Sequence, residues 1–264
     1  MSVKMFAAID VGSYMLHLKV FEFLPSNVMK EVDSVRYGID LGTETFATGK
    51  LSSSKVAELC KVLSDFAGIM KSYGVTQYVA YGTSAIRETT NTNVLLDLIE
   101  QRTGIKIDIL SNSRQRFLTY KSVASIGEDF NKIIQKGTAI LDIGGGSIQL
   151  SVFENDTLVA TQNMKLGVLR LQERLHVLTS VNAKHEMLLD EMIDSQFEVF
   201  KKLYLKDRQI ENMIIADDHV SNLLQNGMLG GGKAGYIDSE AYEQFHNALW
   251  TDSMLDKQRR YGLD

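Results

Sequence analysis

The chain has 264 residues, 44% hydrophobic and 23% charged, with 28 basic side chains against 33 acidic ones. That balance excludes disorder and low-complexity character, and the length suffices for one large domain or two smaller ones. The single cysteine excludes an internal disulfide framework and any Cys-rich zinc site, and suits a reducing cytoplasm. A net charge of −5 leaves no electrostatic footprint for nucleic acid, so no specific nucleic-acid binding is expected. No apolar run is long enough to span a bilayer. The N-terminal apolar stretch is cut by Asp10 and lacks a signal-peptide layout, so a cytoplasmic protein without a membrane partner is expected. Twenty glycines stand against one proline, Pro25, and where they cluster is informative.

Phe6-Ala7-Ala8-Ile9-Asp10-Val11-Gly12-Ser13 is an apolar run ending in a small turn, followed by Leu16, Leu18 and Val20 with polar residues between. The pattern predicts a β-hairpin. Val56, Leu59, Leu63, Phe66 and Met70 then recur at helical spacing, predicting a helix over 52–73 with Gly74 just past its end. Residues 75–81 read as a buried strand, 91–102 as a helix stopped by Gly104, 105–110 as a strand and 113–126 as a helix. Ala139-Ile140-Leu141-Asp142-Ile143-Gly144-Gly145-Gly146-Ser147 repeats the opening pattern, with Ile148, Leu150 and Val152 alternating after it. This second hairpin lies about half the chain from the first, which predicts a duplicated, two-lobed α/β protein. Helices are expected over 171–177, 183–205 and 240–261, and a short strand over 213–216. The run Gly230-Gly231-Gly232 has no strand leading into it and reads as a flexible loop.

Glycine in a turn lets the backbone approach a ligand and point several N–H groups at it, which is how phosphate is cradled. Gly144, Gly145, Gly146 and the Ser147 hydroxyl make a donor-rich loop of that kind, and Gly12 with Ser13 a smaller one. Asp10 and Asp142 end their strands beside these loops, where a carboxylate can hold a hard cation such as Mg²⁺. The alternative is that each loop is only a hairpin turn and each aspartate a turn acceptor. The matching pair, one per lobe, favours the phosphate cradle.

Four ordered motifs carry a family resemblance: Ala8-Ile9-Asp10-Val11-Gly12-Ser13, Thr83-Ser84-Ala85-Ile86-Arg87 with Asn91, Asp142 to Ser147, and Leu166-Gly167-Val168-Leu169-Arg170-Leu171-Gln172-Glu173-Arg174. With these the sequence resembles the Ppx/GppA exopolyphosphatase and guanosine-pentaphosphate phosphatase family of the actin-like superfamily. The resemblance implies two actin-like, ribonuclease-H-like lobes, 1–122 and 123–264, with an interlobe cleft that binds a chain of phosphates. It also implies a phosphate-ligand role for Arg87 and a Mg²⁺-ligand role for Asp10 and Asp142. In the family a stretch like 259–264 is followed by closing helices of the second lobe. Their absence predicts an incomplete lobe with exposed apolar surface, which a homodimer would cover.

The same resemblance exposes departures. The family's water-activating glutamate lies in Ile-Ser-Gly-x-Glu-Glu-Ala-x-x-x-Tyr, matched here by Leu110-Ser111-Asn112-Ser113-Arg114-Gln115-Arg116-Phe117-Leu118-Thr119-Tyr120. Arg114 and Gln115 occupy the two acidic positions, and neither accepts a proton from water at neutral pH. Gln149 stands where Gly-Gly-Gly-Ser-x-Glu ends in an acid, Ala216-Asp217-Asp218 replaces Gly-Gly-Thr, and Tyr14-Met15 replaces Asn-Ser. A relocated carboxylate, Glu88 or Glu154, is the remaining route to a base. Three functions follow from the resemblance. One is a Mg²⁺-dependent hydrolase of inorganic polyphosphate or guanosine pentaphosphate, and another a pseudoenzyme that binds such polyanions as a sensor or regulator. The third is a superfamily kinase, ranked last because no adenosine-binding glycine pair is visible. His17, His176, His185, His219 and His246 lack metal-ligand spacing, and Cys60 reads as a small buried side chain.

Overall fold

The computed structural model describes residues 4–24, 28–125, 129–178, 185–206, 208–217, 220, 223–224 and 236–261. The expected loop at Gly230 to Gly232, together with Asp218 and His219, lies outside the described residues.

Both predicted hairpins form. The first sheet holds β1 (Lys4–Val11), β2 (Met15–Phe23), β3 (Met29–Gly38), β4 (Gln77–Gly82) and β5 (Asp108–Ile109), in the order β3-β2-β1-β4-β5. β1 pairs antiparallel with β2 and parallel with β4. The second sheet holds β6 (Thr138–Ile143), β7 (Ile148–Glu154), β8 (Thr157–Met164) and β9 (Asn212–Ala216), in the order β8-β7-β6-β9. In each sheet, three strands in chain order form an antiparallel meander, which is the duplication seen in the sequence.

Two of these strands carry no clear sequence signal. β3 is an edge strand exposed along most of its length, so its polar and apolar residues do not alternate. β8 follows the Asn155-Asp156 turn, where both residues have positive φ (49° and 60°), the backbone that two-residue hairpins favour. The predicted strand over 105–110 shortens to two residues. Ile105 and Ile107 are nevertheless buried, so the apolar run records core packing more than ladder pairing.

Helix α1 (Gly42–Thr48) precedes α2 (Ser53–Ser72), which is capped by the Ser52 side chain accepting from the Lys55 N–H. α2 buries Val56, Leu59, Leu63, Phe66 and Met70 together with β1 and β2 residues Ala7, Ile9, Val11, Leu16 and Leu18. Cys60 is buried in the same core, as the sequence predicts. A short turn, α3 (Ser84–Arg87), and α4 (Thr92–Thr103) complete this lobe. α5 (Asn112–Ser125) and α6 (Asp129–Ile133) lead to the second sheet.

One face of the second sheet is apolar: Ala139, Ile148, Leu150, Val152, Ala160 and Met164 pack with Phe200. The other carries Asp142, Gln149, Ser151, Thr161 and Asn163 in cross-strand register, and α5 lies over it. α7 (Val168–Leu178) and α8 (His185–Phe200) follow, the latter running into a π-helical turn at Lys201–Leu205.

The chain divides into two compact units, Met1–Met213 and Ile214–Asp264. In the smaller unit the expected single helix is two, α9 (Ser239–Thr251) and α10 (Met254–Tyr261). Ser253 caps the new start by accepting from the Asp256 N–H, which breaks the helical run at Asp252. Leu223 and Phe245 form its small core. Among the described residues, no helix is long and apolar enough to cross a membrane.

Candidate functional site

The two glycine loops have the same closure. Gly12 N–H donates to the Met15 carbonyl at 3.0 Å, and Gly144 N–H to the Ser147 carbonyl at 3.0 Å. In the second loop, three successive carbonyls are held by α7. Gly144 accepts from the Val168 N–H (3.3 Å), Gly145 from the Leu169 N–H (3.0 Å), and Gly146 from Arg170 Nε (3.0 Å). A trans peptide points its N–H opposite to its carbonyl. The Gly145, Gly146 and Ser147 N–H groups therefore turn away from α7. The first loop is oriented the same way from residues 39–42: Ser13 accepts from the Gly42 N–H (2.8 Å), and Tyr14 from Ile39 and Asp40 (3.0 and 3.2 Å).

The loops meet. A Cβ on Gly145 would lie 3.2 Å from the Ser13 Cβ, so the expected cradle residues of the two lobes touch. Gly146 admits no side chain, since a Cβ there would sit 2.7 Å from Ser84 Cβ and from Phe46 Cζ. Gly167 is tighter, with backbone atoms of residues 145–147 at 2.3 to 2.4 Å. Ser13 Oγ accepts from the Ala85 N–H at 3.2 Å and is buried. Arg87 is half-buried, donating to the Leu110 carbonyl and to Ser84 Oγ (3.1 Å). Burial lowers its pKa, against the charge of Glu88. Two of the guanidinium's donor nitrogens are thus held by the protein, which fixes the group beside Ser84 and the glycine loop.

Asp142, one residue before the end of β6, lies opposite Gln149 of β7, and Gln149 lies opposite Asn163 of β8. Gln115 and Thr119, one turn apart on α5, share a helix face. Thr119 Oγ1 donates to Asp142 Oδ2 at 2.9 Å, and the Gln115 side chain lies beside this carboxylate. Burial raises the Asp142 pKa, and Thr119 and Gln115 partly offset that. Around it, Asn112 Oδ1, Gln115 Oε1, both amide atoms of Gln149 and Asn163 Oδ1 are buried without a partner among the described residues. Gln149 is only 2% exposed. Asp10 holds the matching place in the first sheet, opposite His17 and Tyr81, but is exposed.

This donor set does not suit a resident Mg²⁺, which seeks charged oxygens in octahedral geometry. One buried carboxylate, already accepting a hydrogen bond from Thr119, is flanked by amides. Among the described residues no three His, Cys, Asp or Glu side chains gather to hold a metal.

The sequence profile of the Ppx/GppA phosphatase family matches residues 21–259. The chain belongs to this family. It is 29% identical over 164 residues to exopolyphosphatase 1 of Mycobacterium leprae, covering 62% of this chain and 47% of that protein. It is 24% identical over 184 residues to the guanosine-5'-triphosphate,3'-diphosphate pyrophosphatase of Vibrio parahaemolyticus, covering 70% of this chain and 36% of the relative. These matches span less than half the length of either relative. Among solved structures, an exopolyphosphatase from Cytophaga hutchinsonii superposes with a TM-score of 0.77 at 17% identity, covering 99% of this chain and 84% of that one. The Aquifex aeolicus Ppx/GppA family member gives 0.71 at 17%, covering 98% and 83%. The fold is therefore the two-lobe, actin-like one of the family.

Set against the family pattern, Gln115 lies against Asp142, and Arg114 turns aside. The Arg114 guanidinium lies 5.2 Å from the Tyr81 ring centroid and donates to the Tyr81 hydroxyl at 3.3 Å. Neither carboxylate considered as a relocated base is unengaged. Glu154 pairs with Arg208 at 3.1 Å. Glu88 receives Arg170 Nη2 at 2.9 Å on both oxygens, with Lys165 at 3.8 Å. Arg170 is the residue that sequence reading passed over. It lies inside a quoted motif, but its partners are 24 and 82 positions away, and no local pattern signals them.

Proposed function

We propose that this Ppx/GppA family member binds a linear polyphosphate between its glycine loops and hydrolyses it slowly or not at all. The ligand is inorganic polyphosphate or the phosphate chain of guanosine pentaphosphate, the substrate classes in the names of its relatives. The observation that carries the loss of hydrolysis is Gln115. By the family resemblance it stands at the place of the water-activating glutamate, it lies beside Asp142, and an amide accepts no proton from water. Loss of a general base typically costs ~10²–10⁴ in rate.

Binding is supported by the oriented N–H groups of Gly145, Gly146 and Ser147 and by Arg87 beside them. Arg114 adds to this. A cation in the first turn of a helix opposes the helix dipole by roughly 0.3–1 kcal/mol, and an anion bound there reverses that cost. α5 has no acidic residue in its first turn to do so. The amide-rich surroundings of Asp142 place less negative charge beside a polyanion than the family's acids would. We assign no step to a divalent cation.

The test is phosphate release from polyphosphate and from guanosine pentaphosphate, with and without Mg²⁺, beside a binding titration of the same ligands. Tight binding without release is the expected result. Release at an ordinary enzymatic rate would overturn the pseudoenzyme reading and return the chain to the hydrolases. Absence of binding would overturn the proposal altogether.

A further inference from the structure

Arg170 is 11% exposed and makes three kinds of contact at once. Its Nε donates to the Gly146 carbonyl at 3.0 Å, in the glycine loop of the second lobe. Its Nη2 lies 2.9 Å from both carboxylate oxygens of Glu88, the residue after α3 in the first lobe. Its guanidinium carbon stands 3.9 Å from the centroid of the Phe46 ring, on α1 of the first lobe. Phe46 and Ser84 also bound the space where Gly146 has no side chain. One planar cation thus joins the loop peptide of one lobe to an acid and a ring of the other.

We propose that Arg170 is a positioning residue: by bridging the Gly146 carbonyl to Glu88 and Phe46, it makes the direction of the Ser147 N–H depend on the docking of the two lobes. The Gly146–Ser147 peptide is planar, so holding its oxygen fixes its N–H. The other two carbonyls of the loop are held by backbone N–H groups of α7, within their own lobe. The third is held by a side chain that is itself hydrogen-bonded to an acid of the other lobe. Separation of the lobes would pull the guanidinium between the Gly146 carbonyl and Glu88. Lobe docking and the readiness of this amide for an anion are therefore one event. The polyphosphate part of this inference rests on the binding proposed above; the mechanical part does not.

Two variants divide the role. Arg170→Lys keeps the charge, but a point ammonium cannot serve the carbonyl and both carboxylate oxygens while stacking on the ring. Glu88→Gln keeps the stacking and the carbonyl bond, and removes the charge of the partner in the other lobe. Amide hydrogen exchange is measured first on ligand-free protein, at Gly144, Val168 and Leu169 in the loop and α7, and at Gly42 in the first lobe. The central strands β1 and β7 serve as controls. Polyphosphate affinity is then titrated on the same proteins.

The expected result is about tenfold faster exchange at these four amides in both variants, with unchanged strands. Where the wild type binds polyphosphate, affinity should fall by a similar factor. Exchange unchanged at the four amides would overturn the proposal, and so would a rise shared equally by β1 and β7, which marks loss of stability only. Faster exchange at the four amides in a protein whose wild type binds no polyphosphate would uphold the coupling and overturn the binding function instead.

Discussion

Gln115 lies beside the Asp142 carboxylate on α5, one turn before Thr119, which donates to the same group at 2.9 Å. An acid in place of this glutamine would put two carboxyls in one buried site. Two such groups cannot both ionise easily, and the raised member of such a pair is a proton acceptor near neutral pH.

Gln115→Glu should therefore raise phosphate release from polyphosphate by at least ~10²-fold if the remaining groups are in place. The check is a stopped assay of released phosphate across pH. The double change Gln115→Glu with Gln149→Glu should also create a divalent site. Mn²⁺ titration followed by electron paramagnetic resonance should show binding in the double variant and none in the wild type.

Arg87→Lys keeps one charge but loses the planar fork that reaches both Leu110 and Ser84. Polyphosphate affinity should weaken about tenfold, the size of one lost charge-assisted contact. The dependence of binding on salt should stay the same, because the charge count is unchanged. A titration series in NaCl checks both.

Two glycine substitutions should have opposite signs. Gly68 lies inside α2 with open space around it, so Gly68→Ala should stabilise by about 0.4–1 kcal/mol through the unfolded chain. Gly167→Ala would push a methyl group into the loop backbone at 2.3 Å and should cost about 3 kcal/mol. Urea midpoints at constant slope measure both.

Burial raises the Cys60 thiol pKa, with Arg102 opposing. Between the ordinary thiol value of 9.0 and the raised value, the folded state binds more protons than the unfolded one. Stability is then lost as pH rises through that window. Cys60→Ala should show a smaller decline above pH 9.0 than the wild type, read from paired denaturation curves. In the native wild type, alkylation of Cys60 should be slow until denaturant is added.

What the sequence made legible follows from range. Hairpins and helices announce themselves within about ten residues, so the two Gly-ended turns and α2 could be read directly. The position of Gln115 on α5 was legible too, because 113–126 reads as a helix in the sequence. The exposed edge strand β3 was not, since neither face demands an apolar partner. Nor were the Arg170 contacts to Glu88 and Phe46, or the contact of Asn163 with the Asp142 row, which exist only once distant segments are brought together. The predicted phosphate loops gave their location in advance, but only the captured carbonyls reveal which way their amides point.

Helix α5 leaves the first sheet yet is fastened to the second. Arg114 touches Tyr81 of β4, whereas Arg116 reaches Thr161, Thr119 reaches Asp142 and Tyr120 reaches Ser151. The change of allegiance occurs within half a turn of helix. A rotation of one lobe against the other would accordingly carry α5 along with β6 to β8, and the chain would flex around Leu110 to Ser113. Gln115 would ride with the second sheet, because Thr119 on the same helix face is bonded to Asp142. Such a rotation would leave the chemical character of that corner unchanged.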